Sequence, residues 1–333
     1  MQRHILPNHS DMDTKQKQLH LSTSSSNDQS GFRLCYGNQP STNSDLLIPL
    51  QNLQESMPSY DQWQGLMPLA VEPSASVFHN DDYLLAVIAS SDLQTDDMSA
   101  SSYTAYSRIF QLMQKHGYPQ LLRTWSYFPN ITESDQIDAY QQFCSGRSQA
   151  YQEYAFNSNE PEYPAATVIG HHATGFQLYF IAAKQAGISI QNPRQVNAFN
   201  YPASYSKDAP LFARALLHTT ATQHVLFISG TASITGHETQ HQDQALAQLQ
   251  ECLCNIEQLL ITAEQHHFPK TALENMLQLK VYIKHAGDYA ELRAALATRL
   301  GALEHVQFFH ADMCRRDLLV EIEAIAIQPV CTT

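Results

Sequence analysis

The most constraining feature of this 333-residue chain is an order of predicted elements that occurs twice. In each half, apolar segments of strand length alternate with segments whose apolar residues recur at helical spacing. In the first half, these segments are 84–89, 103–116, 121–128 and 137–149. In the second half, they are 225–229, 238–266, 277–284 and 288–300. The repeated order predicts a duplicated α+β fold, in which helices pack on one face of each sheet and segments 121–128 and 277–284 correspond.

Composition divides the chain into three parts. Residues 1–30 are rich in Ser, Gln, Asn and His, which is typical of a disordered leader. We expect residues 31–160 to form an N-terminal unit and residues 161–333 to form a C-terminal unit that carries the catalytic residues. A duplicated fold also offers a natural binding site in the crevice between its halves.

Charge and cysteine usage exclude several classes of function. The net charge is −13 with only 19 Lys and Arg residues, which argues against nucleic acid as a main partner. No apolar run is long enough to span a bilayer, and the scattered cysteines lack a CxxC pair, so we expect a reduced, cytoplasmic protein without a zinc site. His237 and His241 have helical spacing and Glu238 follows the first of them, as in HExxH, but adjacent histidines elsewhere point in different directions and we expect no metal.

The strand predicted over 318–327 places two carboxylates in line. Period-two alternation puts Glu321 and Glu323 on one face, and the opposite face is wholly apolar and should face the core. The two glutamates either lie on a solvated face or serve chemistry in a protected site, and the pattern alone leaves both interpretations open. Cys314 precedes this strand, across the turn formed by Arg315, Arg316 and Asp317.

The segment 320–327 resembles the closing strand of the YjgF-type enamine/imine deaminases, which are small trimeric α+β proteins. From residue 84 onward, the order and spacing of several segments resemble the chorismatase family more closely. These segments are 123–128, 140–147, 192–196, 201–202, 212–215, 229–234 with 236–239, and 314–321. Chorismatases resemble two YjgF-type (chorismate-mutase-like) units fused in one chain, which agrees with the duplication.

The resemblance implies that the protein removes the enolpyruvyl group of chorismate and releases pyruvate. Glu321 matches the family's catalytic glutamate, and Glu323 is the competing candidate because it faces the same way. Cys314 matches a cysteine of members that make 3-hydroxybenzoate, whereas hydrolytic members carry a smaller residue there. 3-Hydroxybenzoate is therefore the preferred product, with 4-hydroxybenzoate and the dihydrodiol as alternatives, and Cys314 on its own could be a small buried hydrophobe.

Chorismate carries two carboxylates, and arginine recognises such groups through paired hydrogen bonds. The expected substrate-binding residues are Arg123, Arg147, Tyr201, Tyr205, Arg214, Gly230 and Thr231. Each also has a structural explanation. Arg214 could be a surface helix charge, Arg147 could complement a helix end, and Arg123 could face solvent. The two tyrosines could be loop packing, and Gly230 could serve only a turn, although a strand end before a helix could also present its N–H to an anion.

One departure from the family concerns Ala203, where related sequences often carry a basic residue that Lys207 could replace. The chemistry implied needs no cofactor, because acid-assisted ether cleavage uses neither a metal nor a redox carrier. The oligomeric state stays open between monomer and trimer. Two other functions compete with the chorismatase hypothesis, namely a YjgF-type deaminase and a non-catalytic binder of small aromatic acids.

Overall fold

The computed structural model describes residues 18–22, 31–37, 46–54, 59–69, 72, 75–88, 93, 96–132, 138–154, 163–202 and 207–330. The strands before residue 100 are β1 His20–Ser22, β2 Phe32–Tyr36, β3 Leu46–Ile48, β4 Gln51–Asn52, β5 Ser59–Gln64, β6 Met67–Pro68, β7 Ala75–His79 and β8 Tyr83–Ile88. The later strands are β9 Gln120–Pro129, β10 Ala165–His171, β11 Gln177–Ala183, β12 Ile188–Ile190, β13 Ala215–Thr219, β14 Gln223–Ala232, β15 Ile234–Thr235, β16 Glu238–Thr239, β17 Gln278–Ile283, β18 Val306–His310 and β19 Val320–Pro329. The α-helices are α1 Met98–His116, α2 Ala139–Tyr154, α3 Ala245–Gln265 and α4 Tyr289–Leu300.

The strands form three larger sheets and one two-stranded ribbon. The small sheet has the order β1-β5-β2-β3, and the ribbon pairs β15 with β16. The N sheet has the order β10-β9-β11-β8-β7-β6, and the C sheet has the order β12-β13-β14-β19-β17-β18-β4. The predicted α+β class is confirmed.

The N and C sheets repeat one topology. The order β10-β9-β11-β8-β7 of the N sheet corresponds to the order β18-β17-β19-β14-β13 of the C sheet. In the N sheet, β10 and β9 are parallel, and β11 is antiparallel to both β9 and β8. In the C sheet, β18 and β17 are parallel, and β19 is antiparallel to both β17 and β14. β9 and β17 are thus equivalent, which confirms the match between segments 121–128 and 277–284. The chain contains two YjgF-like units in tandem, and the described residues of each unit include two α-helices.

Several predicted boundaries differ from the structure. β10 and β11 pair with strands of the N sheet, so the chain changes sheet after Ala183 and not near residue 160. Both strands are buried along their whole length and therefore show no alternation in the sequence. The expected leader 1–30 lies largely outside the described residues, but β1 lies within it and pairs with β5, because Leu19 and Leu21 are buried. That short stretch is ordered, contrary to the prediction.

Local signals explain where the helices begin and end. The Asp97 carboxylate accepts a hydrogen bond from the N–H of Ala100 and so caps the start of α1. Gly117 ends α1 in a left-handed conformation with φ of 77°, at the stop that the sequence predicts. α3 begins at Ala245 rather than near residue 238, because Glu238 and Thr239 form the edge of the ribbon instead.

The helices lie on the outer faces of the two units, and the inner faces of the sheets pack against each other. Helices α1 and α2 cover the N sheet, and α3 and α4 cover the C sheet. The inner core joins residues of all three larger sheets, with Trp125 stacked on Tyr179 at 4.4 Å between ring centroids and Trp63 at 6.0 Å from Trp125. The seam between the units is closed by backbone hydrogen bonds between Gly170 and Asp312 in both directions.

No helix in the described part of the chain combines the length and the apolar character needed to cross a bilayer.

Candidate active site

Glu321 lies on β19, at the seam between the two units. The pairing of β14 with β19 shifts register between Ile228 and Thr231, and Gly230 lies in that irregular stretch opposite the Glu321 side chain. A Cβ atom at Gly230 would come within 2.0 Å of Glu321 Oε1. The absence of a side chain at position 230 therefore makes the space that the Glu321 carboxyl occupies.

The surroundings of Glu321 favour the neutral acid. The residue is 4% exposed, and among the described residues no hydrogen-bond donor contacts its carboxyl group. Burial raises the pKa of Glu321 to about 8, and the negative charge of Glu323 adds to this effect. Arg123 and Arg214 lower the pKa only in part. The environment of Glu321 therefore favours its protonated form near neutral pH.

Glu323 lies on the same face of β19, but its environment favours the ionised carboxylate. Its carboxylate accepts hydrogen bonds from Arg123 Nη2 at 2.9 Å and Trp125 Nε1 at 3.1 Å, and Lys280 Nζ lies 3.2 Å away. Although burial opposes ionisation, Lys280 and Arg123 lower the pKa of Glu323 below its usual value. Both glutamates are thus buried in the inner core, which excludes the interpretation that they lie on a solvated face, and only Glu321 is a neutral acid.

A cavity opens beside Glu321, and we call it the Glu321 cavity. It is lined by residues from both units and the connecting loops: Asp138, Tyr140, Gln141, Tyr201, Pro210, Phe212, Arg214, Gly230, Ala232, Ile234, Cys314, Arg315 and Glu321. The site therefore occupies the crevice between the halves. Cys314 is partly buried here, and burial, followed by the nearby Glu321 carboxyl, raises the pKa of its thiol to about 12. The thiol is neutral at physiological pH.

Arg214 and Tyr201 form one wall of the Glu321 cavity. Arg214 Nη2 donates to the Tyr201 hydroxyl at 2.6 Å and to the Val196 carbonyl at 2.8 Å, while its buried Nε has no partner among the described residues. Arg214 precedes β13 in a loop and is 5% exposed, so the interpretation as a surface helix charge is wrong. The guanidiniums of Arg214 and Arg315 both contact the Tyr201 ring, at 5.4 and 5.3 Å from its centroid.

Arg147 lies behind the cavity wall, in the interior of α2 rather than at a helix end. It is 1% exposed, and its guanidinium lies 4.9 Å from the Phe143 ring centroid. Its Nε and Nη1 atoms have no hydrogen-bond partner in the described residues, Nη2 donates to the Cys144 sulfur at 3.6 Å, and the Tyr106 hydroxyl also interacts with the guanidinium. Arg147 does not line the Glu321 cavity, whereas Tyr140, about two turns earlier on α2, does. A buried cation with unused donors is costly unless an anion comes close.

Other expected binding residues are placed differently. Gly230 lies within β14 rather than at its end, and no helix follows it, so the predicted backbone anion site at a helix start is wrong. Its N–H donates to Thr167 Oγ1 at 3.0 Å, and the Thr231 hydroxyl donates to the Ser229 carbonyl at 2.8 Å. Arg123 is fully buried and faces Glu323, so it does not face solvent.

Tyr205 and Ala203 lie outside the described residues, and Lys207 is exposed. The sequence reasoning also missed residues that shape the site, among them Thr167, Tyr140, Arg315 and Lys280. Lys280 could have been recognised, because a single charge within a mainly apolar strand indicates a buried partner. Thr167 gave none, since a threonine in a strand is ordinary.

Comparisons with known proteins identify the family. The model described as "Chorismatase FkbO/Hyg5-like, N-terminal" matches residues 63–182, and the model described as "Endoribonuclease L-PSP" matches residues 206–328, consistent with the YjgF-like second unit. A chorismatase of Streptomyces rapamycinicus is 38% identical over 236 residues, which cover 68% of this chain and 70% of that protein. A 3-hydroxybenzoate synthase of Streptomyces hygroscopicus is 34% identical over 247 residues, which cover 70% of this chain and 71% of that protein.

A crystal structure of a chorismatase superimposes with a TM-score of 0.81 at 28% identity, covering 93% of this chain and 98% of that one. The similarity thus extends over both units and the crevice between them. The chain belongs to the chorismatase family.

Proposed function

We propose that this protein cleaves the enolpyruvyl ether of chorismate and releases pyruvate and 3-hydroxybenzoate. The observation that carries the proposal is a neutral glutamic acid, Glu321, in the wall of a cavity that also presents the Arg214 guanidinium. The relatives named chorismatase and 3-hydroxybenzoate synthase support the same substrate and product. Chorismate and the two products contain the same atoms overall, and the reaction involves no net oxidation.

Glu321 serves as the general acid in this proposal. Cleavage of a vinyl ether begins with transfer of a proton to the terminal methylene carbon, which gives a cation stabilised by the ether oxygen. Because carbon accepts protons slowly, the acid must be held in place and must keep its proton near neutral pH. The raised pKa of Glu321 meets this requirement, whereas the ionised Glu323 cannot deliver a proton.

The carboxylates of chorismate can bind the cationic side chains that line the Glu321 cavity. Arg214 and Arg315 line the cavity with Glu321, and Tyr201 holds both guanidiniums against its ring. A carboxylate bound there would lie beside the acid, which suits the enolpyruvyl end of the substrate. Arg147 contributes a positive field from behind Tyr140, and its unused donors can reach an anion if Tyr140 moves. Tyr205 remains an expected binding residue from the sequence.

Cys314 adjoins Glu321 and is proposed to act on the ring after pyruvate leaves. Its neutral thiol is a weak hydrogen-bond donor and fills space that water would otherwise occupy. When water is excluded, pyruvate leaves with the ether oxygen, and the neighbouring ring hydroxyl oxygen moves to the vacated carbon as one proton is lost, which gives 3-hydroxybenzoate. Attack of water gives the dihydrodiol instead. The product assignment therefore rests on this residue and on the relative named 3-hydroxybenzoate synthase.

The experiment mixes purified protein with chorismate, follows pyruvate by a lactate dehydrogenase assay, and identifies the aromatic product by chromatography. We expect pyruvate and 3-hydroxybenzoate in equal amounts. Glu321→Gln removes the proton but keeps the shape of the side chain, so pyruvate release should fall to background while the protein stays folded. Glu304→Gln, at an exposed glutamate in the loop before β18, is the matched control and should keep full activity.

Three outcomes contradict the proposal. Ammonia release from an imino acid without pyruvate from chorismate would indicate a deaminase. Stabilisation by hydroxybenzoate without turnover would indicate a binding protein. Full pyruvate release by folded Glu321→Gln would remove the assignment of the acid.

A further inference from the structure

Four charged side chains form a cluster in the inner core, and we call it the buried charge cluster. Its members are Asp61 on β5, Arg123 on β9, Lys280 on β17 and Glu323 on β19, so all three larger sheets contribute. Each is at most 1% exposed. Lys280 Nζ lies 2.5 Å from Asp61 Oδ2 and 3.2 Å from Glu323 Oε1, and Arg123 Nη2 lies 2.9 Å from Glu323 Oε2.

The formal charges of the cluster cancel, since two cations face two carboxylates. Glu323 is the member that both cations share, and Trp125 adds a third donor to it. Glu321 lies two residues earlier on the same face of β19, but it receives neither cation as a partner. Thr167 stands between the two sites, because its hydroxyl oxygen accepts from Arg123 Nη2 at 2.5 Å and from the Gly230 N–H at 3.0 Å.

We propose that Glu323 is a positioning residue that holds Arg123 and Lys280 in the buried charge cluster and thereby keeps Glu321 in its neutral form. The effect on catalysis rests on the proposed function. The effect on the charge of Glu321 is a property of the protein without substrate. Glu323 does not line the Glu321 cavity within the described residues, so it acts through the charge state of the acid and not through the substrate.

Other groups around Glu321 do not replace this effect. The titratable or charged side chains that face it from the packed elements are Arg123 on β9, Tyr140 on α2, Arg214 before β13, Cys252 on α3, Cys314 and Arg315 before β19, and Asp138 before α2. Burial keeps the tyrosine and both thiols neutral. Arg123 and Arg214 favour ionisation of Glu321, and Glu323 opposes them by its own charge and by holding Arg123 in an ion pair.

The test is the ionisation of the Glu321 carboxyl in Glu323→Gln, measured without substrate by infrared difference spectroscopy across a pH series. The band of Glu321 is identified by its loss in Glu321→Gln. Glu323→Gln leaves two cations facing Asp61 alone, so the midpoint of Glu321 ionisation should fall by at least about one pH unit, a tenfold change in acidity. The alkaline limb of the pH profile of kcat should move in the same direction.

A second variant separates charge from packing. In Glu323→Gln combined with Arg123→Met, Lys280 faces Asp61 as the one remaining cation and carboxylate, so the midpoint should return toward the wild-type value. Loss of packing alone would not be reversed by removal of an arginine. Glu304→Gln is the control for a carboxylate remote from the site, and its midpoint should match that of the wild type.

An unchanged Glu321 midpoint in folded Glu323→Gln overturns the inference. If that variant does not fold, the wild-type protein still decides, because it must show a neutral carboxyl at pH 7 that disappears in Glu321→Gln; absence of that band also overturns the inference. Failure of the proposed function is a separate result, since it shows as no pyruvate from chorismate, whereas the infrared measurement uses no substrate.

Discussion

Replacement of Gly230 by alanine tests the geometry of the acid with a single methyl group. The new Cβ would lie 2.0 Å from Glu321 Oε1 and 2.9 Å from its carboxyl carbon, whereas ordinary contact begins at 3.4 Å. The carboxyl group must therefore retreat by about 1.4 Å, since atoms at shorter separation repel. The backbone at this position does not require glycine, because its φ is not positive. Displacement of the Glu321 carboxyl group should therefore account for most of the loss of kcat in Gly230→Ala.

The expected magnitude follows from the sensitivity of catalysis to position. Misplacement of a catalytic group by about 1 Å can cost about 100-fold in rate. We therefore expect kcat for pyruvate release to fall at least about 100-fold in Gly230→Ala, or about 2.7 kcal/mol in activation free energy. Overpacking should lower the free energy of unfolding by about 1–3 kcal/mol, so the protein should still fold.

The assay compares kcat for pyruvate release with thermal unfolding of the same samples. Gly287→Ala is the matched control, because a Cβ there meets no atom within 4 Å and the backbone φ is not positive. It should retain wild-type kcat. A folded Gly230→Ala protein with kcat within threefold of the wild type would refute the argument that Gly230 makes space for the acid.

Three further predictions concern single side chains. Arg147→Met removes a buried cation that has two unused donors, so the free energy of unfolding should rise by about 1 kcal/mol or more while KM for chorismate increases, which denaturant titration and steady-state kinetics measure. Cys314→Ala should divert product from 3-hydroxybenzoate toward the dihydrodiol; an unchanged product ratio would make Cys314 a packing residue. The native state holds a proton on Glu321 that the unfolded state releases between about pH 4.5 and 8, so the wild-type free energy of unfolding should fall by up to about 1.4 kcal/mol per pH unit as pH rises through that window. Glu321→Gln should remove this slope in denaturant titrations at several pH values, and a persistent slope would assign it to another group.

The sequence correctly predicted the helices and strands whose apolar residues recur with a regular period. The stripe of α1 ends at Gly117, and the alternation of β19 correctly placed Val320, Ile322, Ala324 and Ala326 toward the helix-covered core. β10 and β11 were missed because both of their faces are buried, and a uniformly apolar strand carries no period. The boundary between units was misplaced for the same reason.

The site was predictable only in part. Alternation showed that Glu321 and Glu323 share a face, but their opposite charge states depend on Arg123 and Lys280, which come from strands 200 and 43 residues earlier in the chain. Nothing local distinguishes two glutamates that are separated by one residue. The register irregularity at Gly230 was equally hidden, since a glycine in a strand is as consistent with a turn as with a close approach.

The contact of Asp61 with Lys280 has a consequence for how much of the chain the catalytic machinery requires. Asp61 belongs to the small sheet, and it also accepts hydrogen bonds from Tyr36 and from Gln278 of the second unit. Trimming the protein to its two repeats would remove this anion and leave two buried cations, Lys280 and Arg123, to share the single carboxylate of Glu323, at a cost of about 3–5 kcal/mol. Duplication alone thus does not make a self-sufficient enzyme, and the strands before residue 67 are a third structural component on which the other two depend.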